Sequence, residues 1–296
     1  MIKDLNYNIN EIAPYINWTY FFHTWGFPPR FAQIVEDKEA WSTQCSVEEQ
    51  EKTNEAIRLF EDAAEMLQFI TPTYHTHARF ALLPAHSDGD DIIIHCEGIT
   101  GDIRLPLLRQ QHNRPDEACC CLADFIRPFS YKEPDTIGLF ATTVIGTTEK
   151  ICACDKYRSL LIQTLSDRLA EATAEKMHEE VRKTYWGYAK DEQLTMNELF
   201  QEKFIGIRPA IGYPSLPDQS TIFDLNKILH LNEMGIQVTE SGAMSPHASV
   251  CGLMLAHPSS HYFSIGRIGE DQLADYAKRK NMSQEKLRRF LTDNLT

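Results

Sequence analysis

The longest apolar periodicity in the chain lies between residues 156 and 186. Leu161, Leu165, Leu169, Met177, Val181 and Tyr185 fall on four-residue spacing, with Ala172 beside them. Asp167, Arg168, Glu175, Lys176, Glu179 and Arg182 fill the other side. One apolar stripe and one charged face predict an amphipathic helix packed on a sheet. Gly187 is placed to end it, since glycine accepts the left-handed conformation that closes many helices. Glu171 borders the stripe. Its simple reading is a solvated carboxylate; turned inward, it would contact a polar ligand.

Weaker patterns set the other elements. Ser46-Val-Glu-Glu49 has capping-box spacing, and Ile57, Phe60, Ala64 and Leu67 follow at helical intervals, so a helix is expected over about 46–70. Arg79–Leu83 and Asp91–His95 flank Ser87-Asp-Gly89 and predict a hairpin. Strands are expected at Ala118–Phe125, at Thr136–Ala141, on both sides of Thr239–Ser249 and at Tyr262–Ile265, with a short helix over Leu105–Gln111. Thr195-Met-Asn-Glu198 opens a helix, and Ser220–Leu229 shows one apolar face. Glu270–Lys280 carries acids early and bases late, and Ser283 caps a last helix to Leu291. The aromatics from Tyr15 to Phe31 show no period and read as rings buried by a wrapping segment. Asn17, between Ile16 and Trp18, needs a hydrogen-bond partner.

Strands and helices do not alternate strictly. The expected fold class is therefore α+β, a single domain with a largely antiparallel twisted central sheet flanked by helices. An N-terminal arm (1–14) and one domain (15–296) are expected, with no Pro/Gly/Ser-rich linker. Hydrophobic content of 43% and charged content of 24% describe an ordinary globular protein. The net charge of −13, from 42 acidic and 29 basic residues, argues against a nucleic-acid partner, which needs a basic face. No run approaches the roughly 18 apolar residues of a membrane helix. The first residues lack the apolar core of a signal peptide, so the expected location is cytoplasmic. Among 8 cysteines, Cys119, Cys120 and Cys121 read as small buried hydrophobes, and Cys152-Ala-Cys154 lacks the CxxC spacing of a metal or redox pair. His75 and His77 have no second cluster to complete a set, so no metal is expected.

Arg208-Pro-Ala-Ile-Gly-Tyr-Pro214 breaks every period. Its prolines fix φ and its glycine admits angles closed to other residues. It reads as a rigid turn with free backbone groups, an arginine fork suited to a carboxylate or phosphate, and a tyrosine face and hydroxyl. Elsewhere, the glycine-rich nucleotide cradles and the GxSxG elbow are absent. Met177-His178-Glu179-Glu180 falls short of a zinc-protease helix because Arg182 stands where the second histidine belongs.

The 208–214 turn resembles the signature of the activation domain of cobalamin-dependent methionine synthase, an S-adenosylmethionine-binding module. Leu122-Ala-Asp-Phe125, Asp167-Arg-Leu-Ala-Glu171, Val181-Arg-Lys-Thr-Tyr-Trp-Gly-Tyr188, Thr239-Glu-Ser-Gly-Ala-Met244, Ala248-Ser-Val250 and Asp275-Tyr-Ala-Lys-Arg-Lys280 extend the likeness in order, from about Tyr15 to Leu295. The resemblance implies a reactivation role within a methyltransferase system. The module binds S-adenosylmethionine over cobalamin carried by a partner domain or subunit. A flavodoxin-type donor supplies an electron, and the sulfonium supplies a methyl group that restores oxidised cobalamin to methylcobalamin.

By the same resemblance, Arg208 holds the methionyl carboxylate and the backbone of Ala210 contacts the ligand. Tyr213 faces the cobalamin as the catalytic contact, and Tyr262 and Glu171 lie near the ligand. Departures are expected to matter. Phe263 stands where the family has a second tyrosine. Asn17 stands where it has an aspartate for the ligand's ammonium group, a loss of roughly 1–2 kcal/mol on the difference between charged and neutral hydrogen bonds. Ser245 and His247 replace an expected tryptophan and glycine. The chain is expected to act as a module on a separate cobalamin-bearing partner. Two alternatives are a non-catalytic docking module for a corrinoid protein with a weakened S-adenosylmethionine site, and a binder of a related ligand.

Overall fold

The computed structural model describes residues 1–35, 47–96, 98, 101–112, 117–146 and 155–295. In chain order the strands are β1 (Ile2–Asn8), β2 (His75–Asp88), β3 (Asp91–Ile94), β4 (Ile103–Pro106), β5 (Asp135–Ile145), β6 (Gln237–Val238), β7 (Met244–Ser245) and β8 (Ser249–Met254). The α-helices are α1 (Ile9–Ile12), α2 (Trp18–Thr24), α3 (Val47–Ile70), α4 (Lys156–Glu180), α5 (Met196–Phe200), α6 (Thr221–Leu229), α7 (Glu270–Arg279) and α8 (Gln284–Arg288). None of the described helices is long and apolar enough to cross a membrane.

β2 organises the main sheet. One of its edges pairs in succession with β1, along His75–Ala81, and with β3, along Ala85–Asp88. Its other edge pairs with β5, which pairs in turn with β8, while β3 continues to β4. Every ladder in this sheet is antiparallel, and helices cover it, so the expected α+β class holds. Side chains alternate across each strand. Phe80, Phe140, Val250 and Met254 join the core beneath α4, and Ala81, Leu139, Cys251 and Leu253 join the core beneath α6. Both faces are therefore dry. The residues 2–8, read as part of an arm, form an edge strand of the sheet.

The predicted hairpin turns at Gly89, whose φ of +62° suits a residue without a side chain. The predicted stripe of α4 is buried from Leu161 to Val181. Thr195 closes the expected capping box with Glu198, and Ser283 accepts the Lys286 N–H at the start of α8. Ser46 and the Cys152–Cys154 stretch lie outside the described residues.

Other expectations need correction. Ala118–Phe125 is not a strand: Leu122–Phe125 is a 3-10 turn, because the Asp124 carboxylate accepts the Cys121 N–H at 2.9 Å and Arg109 grips the same carboxylate. Of the cysteine run, Cys121 is buried, with burial pushing its thiol up to about 12, while Cys119 and Cys120 are half-buried. Leu105–Gln111 holds no helix, since Leu105 and Pro106 already belong to β4. Tyr262–Ile265 forms no ladder: Phe263 N–H donates to Ser215 Oγ at 3.1 Å, and Ile265 N–H to the Pro214 carbonyl at 2.9 Å. The aperiodic aromatic segment contains α2, which aromatic contacts such as Trp18–Phe60, at 4.8 Å between ring centres, pin to α3.

Gly252, in β8, is where the sheet meets the 208–214 turn. A Cβ there would sit 2.3 Å from the Pro209 carbonyl and 2.8 Å from Ala210 Cα. Gly252→Ala is expected to cost about 1–3 kcal/mol, as overpacking against backbone does. Urea unfolding measures this; an unchanged midpoint would show that the approach is not tight.

Candidate functional site

The segment around Pro209 is not a turn with free backbone groups. It lies antiparallel along the outer edge of β8. Ile207 exchanges hydrogen bonds with Leu255 at 2.9 and 3.0 Å, Leu253 N–H reaches the Pro209 carbonyl at 2.9 Å, and Ile211 N–H reaches the Cys251 carbonyl at 2.9 Å. Proline has no N–H to give, so the pairing stays short of a regular strand. The alternation still holds. Ile207 and Ile211 enter the core on the α6 side, and Ala210 enters the core on the α4 side. Arg208, in phase with Ala210, meets α4. Gly212 then turns the chain at φ +87°, which brings Tyr213 over the same helix.

Arg208 is nearly buried, with 12% of its side chain exposed. Its Nη2 donates to Glu175 Oε2 at 3.1 Å and its Nη1 to His178 Nδ1 at 3.2 Å. Its backbone N–H donates to the Tyr262 hydroxyl at 2.9 Å. Burial opposes the Arg208 charge, but Glu175, Tyr262 and Glu171 together raise the pKa.

His178 also accepts from Arg182 Nη1 at 2.9 Å. A guanidinium only donates. Nδ1 must therefore be bare, and the ring proton sits on Nε2, which faces the Tyr188 hydroxyl at 3.5 Å. Burial, and then the charges of Arg182 and Arg208, hold the His178 pKa well below 6.5. Arg182, expected on the wet face, is instead fully buried. A π-helical turn, Val181–Tyr185, ends α4 and carries it inward, where Glu192 pairs with it at 2.7 Å and the Phe204 ring lies 4.2 Å away.

The remaining expected residues converge on the same place. Tyr213 is half exposed and its hydroxyl donates to Glu171 Oε1. Burial first, and then the Glu171 charge, raise the Tyr213 pKa. Asn17 caps α2, its Oδ1 accepting the Thr19 N–H at 3.1 Å. Asn17, Glu171, Arg208, Ala210, Tyr213, Tyr262 and Phe263 all line one cleft of about 600 Å³. Sequence reading missed further residues at this cleft, among them Tyr20, Glu175 and Glu202. Glu175 carried a signal, since it lies one helical turn beyond Glu171 and so shares its face. His247 lies outside the cleft, exposed, with Nδ1 3.1 Å from Asp167 of α4. Among the described residues, no group of three or more His, Cys, Asp or Glu side chains is arranged to hold a metal ion.

The family described as "Vitamin B12 dependent methionine synthase, activation domain" matches residues 8–281. The chain belongs to that family. A solved structure of the MetH reactivation domain bound to AdoHcy is similar to it at 39% identity, with a TM-score of 0.87 over 100% of this chain and 90% of that one. Like that domain, this activation domain sets helices against a curled antiparallel sheet.

The neutral state of His178 gives this activation domain a pH-dependent stability. Folded His178 stays uncharged while the unfolded side chain takes up a proton below 6.5, so stability falls as pH drops through that value. His178→Asn keeps an acceptor near Nδ1 but cannot titrate. Between about pH 7.5 and about pH 5.5 the unmodified protein is expected to lose about 1.4 kcal/mol more than the variant, by urea unfolding. Equal losses would contradict a neutral, buried His178.

Proposed function

We propose that this chain binds S-adenosylmethionine in the cleft between α2, α4 and the 208–214 segment. Bound there, it supports reductive methylation of cobalamin carried by the cobalamin-binding domain or subunit of methionine synthase, or by a related corrinoid protein. The observation that carries this reading is Arg208. It is a nearly buried guanidinium at the wall of the cleft, held by Glu175, His178 and the Tyr262 hydroxyl before any ligand arrives. Preset donors bind a carboxylate without the entropy of ordering them. The AdoHcy-bound relative, similar over the whole chain, supports the same ligand class.

The cleft also fits the ligand chemically. A volume of about 600 Å³ suits a nucleoside with an amino-acid tail. Its walls join aromatic rings to cations and carboxylates, and one buried carboxylate oxygen, Glu175 Oε1, has no partner among the described residues.

S-adenosylmethionine supplies, when bound, a sulfonium methyl group; with one electron from a flavodoxin-type donor it returns oxidised cobalamin on the partner to its methylated form and leaves S-adenosylhomocysteine. The chain's own residues bind, orient and exclude water. Arg208 takes the carboxylate as a fork. Ala210, small and buried, permits close approach of the ligand to the backbone. Tyr262 fixes the Arg208 backbone and presents its ring. Phe263 lends an apolar wall without a hydroxyl. Tyr213, anchored by Glu171 and half exposed at the cleft, faces the partner's cobalamin as the catalytic contact. The setting is cytoplasmic, supported by the buried thiols of Cys121 and Cys251. A docking module without a working ligand site is less supported, because the departures at Asn17 and Phe263 leave the Arg208 network whole.

Calorimetry with S-adenosylmethionine is expected to show saturable binding. Arg208→Ala should weaken it about 10- to 100-fold, the worth of a charged hydrogen bond. No heat from the unmodified chain or from Asn17→Asp at millimolar ligand would falsify the proposal.

A further inference from the structure

The two oxygens of Glu175 are in different states. Oε2 accepts from Arg208 at 3.1 Å. Oε1 is buried and, among the described residues, has no hydrogen-bond partner. A buried carboxylate oxygen left without a donor is costly, and such atoms ask for a functional explanation. The side chain borders the cleft with 14% of its area exposed, and Oε1, itself covered, meets a ligand there by a turn about the last side-chain torsion, which is soft.

The cleft lacks the charged acceptor expected at position 17. Asn17 Oδ1 already accepts the Thr19 N–H at the start of α2, so it offers an ammonium group only a shared, uncharged oxygen, and its amide NH2 can only donate. An aspartate would cap with one oxygen and keep a charged one for an ammonium group. The charge must come from another residue. Glu171 accepts from the Tyr213 hydroxyl through Oε1 and, among the described residues, makes no hydrogen bond to the Arg208 guanidinium. Glu202 is exposed and has no hydrogen bond to Arg208 among those formed by its guanidinium. Glu175 touches Arg208 directly. In an α-amino acid the ammonium and carboxylate groups share one carbon, so a carboxylate in the Arg208 fork carries its ammonium into reach of Glu175.

We propose that Glu175 Oε1 is the acceptor for the ligand's α-ammonium group, making Glu175 the residue by which this cleft selects ligands with a free amino-acid tail. This rests on the reading of the cleft as an S-adenosylmethionine site. With the tail in place, charges alternate around a ring: Glu175 carboxylate, ligand ammonium, ligand carboxylate, Arg208 guanidinium. A ligand with the carboxylate but no amine leaves Oε1 unpartnered.

The test is calorimetry on the full chain with two probes, S-adenosylhomocysteine and its desamino counterpart, which keeps the thioether and carboxylate. The unmodified chain is expected to prefer the amine-bearing probe by about tenfold or more, as a charged hydrogen bond requires. Glu175→Gln keeps the shape and an acceptor for Arg208. It is expected to bring the preference below about threefold, chiefly by weakening the amine-bearing probe. Glu175→Asp, which keeps the charge, should retain part of the preference and serves if the glutamine variant does not fold. Adding Asn17→Asp to Glu175→Gln should restore it. An unchanged preference in Glu175→Gln overturns the assignment. So does an equal loss for both probes, which would mean that Glu175 acts only by holding Arg208. If the unmodified chain binds neither probe, the S-adenosylmethionine reading itself fails, and this inference with it.

Discussion

Because Gly252 has no side chain, the segment from Ile207 to Ile211 can lie against β8 closely enough to bond to it. That contact sets the phase of the segment. Ile207 and Ile211 are drawn into one core, and Arg208 and Ala210 are left on the side of α4. Proline at position 209 withholds a donor and keeps the sheet from claiming the segment fully. The result is a length of chain with the rigidity of a strand and one polar side chain aimed at a helix. A loop fixed only at its ends would not hold a guanidinium so closely.

Behind Arg208 the molecule keeps a second arginine, a histidine and two carboxylates almost wholly out of water. Arg182 and Arg208 share one acceptor, His178 Nδ1. Two cations facing one imidazole repel any proton there, so the ring serves as a fixed neutral acceptor. Glu192 balances Arg182, and Glu175 balances Arg208. Buried charge of this kind adds little net stability compared with a well-packed apolar cluster. Its gain is orientation. The binding group is already aligned, and the cost of desolvating it was met when the chain folded.

Regular local patterns were legible. The stripe of α4, the Gly89 hairpin and the Thr195 and Ser283 caps rest on residues a few positions apart, and the structure has all of them. Local rules failed where a distant group intervened. The chain leaves the extended conformation after Cys121, because the Asp124 carboxylate folds back onto the Cys121 N–H and Arg109 grips the same carboxylate. α2 was hidden because its aromatics show no period, and packing on α4 and on the turn Pro29–Val35, with Trp18 against Phe60 of α3, holds it instead. Tyr262 and Phe263 look like strand residues, but their polar partners are Arg208 and Ser215 rather than a neighbouring strand.

What the sequence by itself determined is the elements with regular local signals, the α+β class and, through the Arg208–Pro214 signature and the segments around it, the family. Those depend on side-chain order within short windows. Only the tertiary structure decided which charges are wet. Arg182 looked solvated and is buried; Glu175 looked like one more acid on an outer face and stands beside Arg208 with an oxygen unpartnered. Arg208 and Glu175 are 33 positions apart, and Tyr213 and Glu171 are 42 apart. A charge enters the interior only where its partner is brought to it, and for Arg208 no short window of sequence contains that partner.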